Sequence, residues 1–299
     1  MRILTKAHRF ENLLPLLAVL GSVTALGIGT SFAKHLFPLI GSIGTTALRV
    51  GFSALLLLLI WRPWRWPLSG ADARSIVRYG VALGFMNLLF YMALRSIPFG
   101  LAVAIEFAGP LTVALWSSRK PVDFVWLLLA VCALALLLPI NPGAAPLDPV
   151  GVGYALAAAV CWGGYIVFGK RVGHLHAGQS VALGLTVAAI AVVPFGIWQA
   201  GTKLLDPALL VYGVGVAAIS SAVPISLEMV ALKRLPKESF GIMASMEPAV
   251  AALLGMLVLD EQLTGLQWLA IGLTMLAAAG SSVTAQRGLS KSEAADLLV

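Results

Sequence analysis

Charge is scarce in this sequence. Only 11% of its 299 residues are Asp, Glu, Lys or Arg, whereas 60% are hydrophobic and the mean hydropathy is +0.95. A soluble domain averages about 25% charged residues, so this composition excludes an ordinary water-soluble protein and points to a chain that lives in a bilayer. Cysteine is nearly missing as well. Cys132 and Cys161 both fall inside apolar runs and neither stands at a metal-ligand spacing, which excludes a disulfide scaffold or zinc site and leaves them as small packing residues. There is no H-E-x-x-H, P-loop or G-x-S-x-G segment, so neither an enzymatic activity nor a cofactor is expected. Long polar connections are absent too. The longest, residues 62–75, cannot hold a domain, so the work of the protein falls to helices and the space between them.

What is present is a succession of apolar runs. Crossing about 30 Å of hydrocarbon takes roughly 20 residues at ~1.5 Å each. The chain divides into ten such spans, at 13–34, 41–61, 76–94, 98–118, 122–140, 150–169, 178–200, 209–232, 238–258 and 264–285. The first has the look of a signal peptide, with small residues near Ala25 and Gly27. Its apolar run continues to about Ala33, however, and it has a relative later in the chain, so it is expected to stay as a span.

Positive charge sets the orientation, because Lys and Arg in short loops stay on the cytoplasmic side. With the N-terminus inside, Arg2, Lys6, Arg9, Arg62, Arg65, Arg74, Arg78, Arg119, Lys120, Lys170, Arg171, Lys233, Arg234, Lys237, Arg287 and Lys291 all fall in the cytoplasm. Lys34, Arg95 and Lys203 fall opposite, and Arg49 lies within a span. Both termini are thus expected in the cytoplasm. The net charge of +7 is then a topology signal and not the mark of a nucleic-acid binder. The stretch WRPWRWP, 61–67, reads as an interfacial belt, and GVALG, 80–84, as a weak small-xxx-small helix contact. The polar tail, 286–299, is expected to be a disordered cytoplasmic appendage.

The chain also repeats itself. GIGTSFAK, 27–34, aligns with GGYIVFGK, 163–170, and MALRSIPFGLAVAIEFAGP, 92–110, with VALKRLPKESFGIMASMEP, 230–248. Trp126 and Trp268 mark the fifth and tenth spans. Each half holds five helices, an odd number, so the second half enters from the opposite side and the repeats are antiparallel, with boundaries at 13–140 and 150–285. The fold class expected is an all-α integral membrane protein of ten transmembrane helices in two inverted five-helix repeats, an arrangement that places substrate sites near the midplane.

The segments AIEFAGPL, SSRKPVDFVW, ISLEMVALKRLP and SMEPAVAALLGMLVLDEQLTGLQWLAIG resemble the drug/metabolite transporter superfamily, in its ten-helix branch built from two EamA repeats. Within that branch the chain looks most like the bacterial threonine/homoserine exporters, over residues 13–285. The resemblance implies efflux of small amino acids across the bacterial inner membrane, through a central cavity lined by helices 1–4 and 6–9.

Three charges lie deep in the spans: Arg49, Glu106 and Glu247. A charge at mid-bilayer costs at least ~2.5–3.5 kcal/mol, so each should face the protein interior or water. Arg49 and Glu106 share a depth. Either they form an ion pair that holds helices 2 and 4 together, or they meet the carboxylate and ammonium of an amino acid. Glu106 and Glu247 are the candidates for proton coupling, since a carboxyl group in hydrocarbon can shed its charge by taking up a proton. Glu228, near Lys233 and Arg234, reads as a gate or packing salt bridge. Pro110 and Pro248 each deprive the carbonyl four residues earlier of its partner, which sets a broken helix beside a carboxylate in both repeats. Asn87 and Tyr91 share one face of helix 3, and Trp162 and Tyr165 one face of helix 6; each serves equally as substrate contact or as helix glue, as do Ser220 and Ser221. The expected partners are a small-molecule amino-acid substrate, lipid and protons. Two rivals remain at this point: export of other metabolites such as aromatic amino acids or purines, and a non-transporting receptor or assembly subunit whose buried charges only hold helices together.

Overall fold

A computed structural model describes residues 2–117, 121–136, 147–224, 227 and 245–296, with most side chains from Leu17 to Thr284. The helices are α1 (Arg2–Lys34), α2 (Phe37–Trp61), α3 (Gly70–Ala93), α4 (Phe99–Glu106), α5 (Ala108–Ser117), α6 (Pro121–Leu136), α7 (Pro149–Val172), α8 (Ala177–Ala200), α9 (Pro207–Ala217), α10 (Glu247–Leu259) and α11 (Gly265–Asp296). A π-helical turn, Ala218–Ala222, continues α9. These elements make ten spans, because α4 and α5 are one span interrupted at Phe107.

The interruption is where Pro110 requires it. Phe107 still donates to the Val103 carbonyl at 3.0 Å and accepts from Leu111 at 3.3 Å, but the Glu106 carbonyl four residues before the proline ends the first segment. The carbonyl of Ala244, which Pro248 is expected to free, lies outside the described residues. Pro248 itself stands in the first turn of α10, where a missing N–H costs nothing, and Glu247 is the residue that opens the helix. Residues 225–226 and 228–244 lie outside the described residues, and with them Glu228, Lys233 and Arg234.

Helix packing follows the inverted repeat. Three contacts join equivalent spans of the two halves: α2 on α8, α4 on α10 and α6 on α11. Several others come in reciprocal pairs. α3 packs on α7 as α1 packs on α9 and its π turn; α3 packs on α8 as α2 packs on α9; α4 and α5 pack on α7 as α1 packs on α10. GVALG is a real contact: a Cβ on Gly80 would stand 2.5 Å from the Gly184 carbonyl oxygen, and one on Gly84 would stand 3.0 Å from Ala188 Cα.

The outer surface is apolar, with Trp116, Trp198, Leu257, Val160 and Val211 each at least 75% exposed. In water such a surface would aggregate, whereas hydrocarbon covers it at no cost. Cys132 lies on this outer face.

Two expectations need correcting. α11 runs on to Asp296 instead of ending at 285, because its polar continuation GLSKSEAAD is rich in the helix formers Ala, Glu, Lys and Leu. Of the tryptophans in WRPWRWP, Trp64 is 68% exposed, whereas Trp61 and Trp66 are drawn inward. Arg62 adopts a left-handed conformation (φ 49°) that turns the chain, so Trp61 packs inward beside Gly178 and Trp66 stacks on His176 at 4.2 Å.

Candidate substrate cavity

Because spans one to four and six to nine pack in reciprocal pairs, they surround a space of about 430 Å³. α6 and α11 stand outside its wall and pair with each other, Trp126 Nε1 donating to Thr284 Oγ1 at 3.1 Å. All seven residues expected from the sequence to bind substrate lie in the wall: Arg49, Asn87, Tyr91, Glu106, Trp162, Tyr165 and Glu247.

Arg49 is the one cation among the described residues of the cavity wall. It is 8% exposed, its Nε donates to Ser220 Oγ at 2.9 Å, and its Nη1 donates to Asn87 Oδ1 at 2.5 Å. Its guanidinium carbon stands 5.3 Å from the centre of the Tyr91 ring. Asn87 is aimed by a bond from its own Nδ2 to the Leu83 carbonyl at 2.8 Å, which leaves its oxygen turned to the arginine. Arg49 makes no ion pair with Glu106; two neutral oxygens take its bonds instead. Its second Nη group has no protein partner among the described residues. A cation that is oriented yet not neutralised is suited to an anionic group that comes and goes.

Glu106 and Glu247 share the wall with this arginine. Glu106 is the last residue of α4 and 7% exposed, and the charges whose fields reach it most are Glu247 and Arg49. Glu247 is the first residue of α10, where the free amides of the helix N-terminus favour an acid. Trp162 sits edge-on to Phe107 at 5.0 Å, against the break itself.

The two ends of the cavity differ. Toward one end lie Trp61, Gly178 and the stacked pair Tyr79 and Tyr165, with rings 4.9 Å apart and hydroxyls 3.4 Å apart. Toward the other, Glu261 draws three helix ends together. Its Oε1 accepts from Lys34 Nζ at 2.5 Å at the close of α1, and its Oε2 accepts from the Phe99 amide at 2.8 Å at the start of α4. It is aimed there by a cap on α10, in which Asp260 is left-handed (φ 53°) and the Glu261 amide returns to the Gly255 carbonyl at 3.0 Å. At the same end Asp148 caps α7 by accepting from the Val150 and Gly151 amides at 3.1 and 3.3 Å. A hydrogen bond from Ser96, followed by that from Val150, holds its carboxyl below the ordinary aspartate value.

Sequence reasoning missed Ser53, Tyr79, Thr30 and Trp61 as lining residues. Ser53 was within reach of a simple rule, since it stands four residues after Arg49 on the same helix face. Tyr79 bears no such signal, because its place is fixed by Tyr165 of the other repeat.

Residues 149–283 match the EamA-like transporter family. The threonine/homoserine exporter RhtA of Salmonella typhimurium (strain SL1344) is 46% identical over 274 residues, covering 92% of this chain and 93% of that protein. The exporter of the same name from Escherichia coli (strain K12) is 45% identical with the same coverage. An uncharacterized inner membrane transporter of E. coli K12, YedA, is 25% identical over 283 residues, 90% of this chain and 91% of that one. One crystal structure overlays with a TM-score of 0.55 over 93% of this chain and 98% of its own, at 19% identity, which speaks to the fold alone.

Proposed function

The chain belongs to the EamA-like transporter family, and from that membership and its cavity we propose that it exports threonine and homoserine across the bacterial inner membrane by alternating access. The observation that carries this reading is the charge set of one cavity: an oriented Arg49 on α2, Glu106 at the end of α4 and Glu247 at the start of α10. A free amino acid is a zwitterion. Its carboxylate is matched by the open edge of Arg49 and its ammonium by the carboxylates, which replace the water it loses inside the membrane.

The repeats 13–140 and 150–285 are the bodies that rock about this site. With the N-terminus in the cytoplasm, the end tied by Lys34 and Glu261 is the outer one, and the wall that continues to Trp61 and Gly178 leads inward. Glu106 and Glu247 share this wall with Arg49, and a carboxyl group that trades its proton for the substrate ammonium couples export to the proton gradient.

The test is counterflow of labelled threonine into proteoliposomes, with unlabelled homoserine, tryptophan or adenine as competitor. Homoserine is expected to compete and the other two to leave uptake unchanged. Competition by tryptophan or adenine in place of homoserine would move the protein to another substrate class.

A further inference from the structure

Hydroxyl groups in the cavity wall do not all find partners. Ser53 Oγ on α2 and Ser221 Oγ in the π turn lie 2.7 Å apart. Each hydroxyl has one proton to give and two sites that accept. One proton is used between the pair. Neither oxygen has a further partner among the described residues, so one donor and several acceptor sites stay unspent. Thr45 and Thr46 of α2 turn back to the carbonyl one turn earlier, Thr45 to Gly41 and Thr46 to Ser42, each at 2.8 Å. Ser53 and Ser221 do not, and both lie in the cavity wall.

Their position relative to Arg49 is equally specific. Ser53 follows Arg49 by one helical turn, which puts the two side chains on the same face roughly 6 Å apart. Ser221 follows Ser220, the hydroxyl that receives Arg49 Nε. Neighbouring residues of a regular α-helix point about 100° apart. Here the wider π turn Ala218–Ala222 holds both serines in the wall, a local irregularity of the kind found at functional sites.

We propose that the Ser53–Ser221 pair is the subsite that reads the side-chain hydroxyl of the substrate, and that it sets a preference for hydroxyl-bearing amino acids over their aliphatic isosteres. The proposal rests on the amino-acid reading of the cavity given above. With the substrate carboxylate on Arg49, a hydroxyl on the β or γ carbon reaches the pair one turn further along α2, which accommodates threonine and homoserine alike. The unspent serine proton is given to the substrate oxygen, and the substrate proton goes to a free serine lone pair. An aliphatic isostere leaves both unpaired inside the membrane, and it is this penalty that makes hydroxyl-reading sites selective. Tyr91 offers a second unpartnered hydroxyl, but that oxygen is closed off from the cavity and its ring is covered by Arg49.

The experiment measures competition against labelled threonine counterflow by threonine and by valine, and separately by homoserine and by norvaline, in the full-length protein. It compares the native chain with Ser53→Ala, Ser221→Ala and Ser221→Thr. The native protein should prefer the hydroxyl-bearing member of each pair, and either alanine variant should shrink that preference about tenfold, the worth of one buried hydrogen bond. Ser221→Thr, which keeps the hydroxyl, should retain it. Alanine variants whose threonine and valine values fall together with an unchanged ratio would overturn the proposal and make the pair a link between helices only. A native protein with no threonine counterflow would overturn the amino-acid reading instead, a result no serine variant can mimic.

Discussion

Removing the charge of Glu261 should open the tied end of the cavity. Its carboxylate holds Lys34 on one oxygen and the Phe99 amide on the other, with the Lys34 and Glu261 side chains only 22% and 12% exposed. Glu261→Gln keeps the size of the side chain and an acceptor for the amide but gives up the ion pair. A charge-assisted bond of this burial contributes about 1.5–3 kcal/mol, which corresponds to roughly 10- to 150-fold in the ratio of closed to open outer ends. The readout is the labelling rate of a cysteine placed at Thr30, in a protein freed of Cys132 and Cys161, by an impermeant maleimide added from the outer face. Glu261→Gln and Lys34→Met should each raise the rate by at least tenfold, and the double variant should do no more than either alone. Rates within about threefold of the parent protein in both single variants would refute the idea that this bridge closes the cavity.

Arg49→Lys replaces a planar fork, which reaches Ser220 and Asn87 at once, with a single ammonium; the half-saturating threonine concentration should rise at least tenfold, and an unchanged value would remove Arg49 from the substrate site. Gly80→Ala drives a methyl group to 2.5 Å from the Gly184 carbonyl oxygen, a backbone atom that cannot step aside, so the thermal unfolding temperature of the detergent-purified protein should fall; an unaltered temperature would mean that α3 and α8 are less tightly apposed. Asp148→Ala removes the α7 cap. Since the folded-state carboxyl is held below its ordinary value of 3.8, its contribution is fully present above that pH and is lost as pH falls through the lower folded value. The stability gap between native and variant should therefore be constant from pH 5 to 7 and narrow only in stronger acid, and a gap that narrows near pH 6 would assign the effect to another group.

Much of the architecture could be read from the chain because hydrocarbon imposes one simple demand. Backbone polar groups must bond within a helix, so each apolar run of sufficient length became a span, and the charges that could not face lipid turned inward together. Arg49, Glu106 and Glu247 were legible for that reason. The partners of Arg49 were not. Depth placed it level with Glu106, but choosing between that carboxylate and the oxygens of Asn87 and Ser220 depends on helix rotation, which no repeat or charge count encodes. The Lys34–Glu261 bridge joins residues 227 positions apart, and its aim depends on the left-handed cap at Asp260. The π turn after α9 escaped for a different reason: Ala-Ile-Ser-Ser-Ala has no propensity that marks it off from a regular helix, and only tertiary contact fixes its wider winding.

The most direct test of the transport path is counterflow of labelled threonine in proteoliposomes, comparing the native chain with Glu106→Gln at several pH values. Glutamine keeps the shape of the wall and removes its charge. The native protein should accumulate label with a dependence on pH, and Glu106→Gln should lose both the accumulation and the dependence while remaining folded. Undiminished threonine counterflow in Glu106→Gln would contradict the assignment of this cavity as the route taken by the substrate.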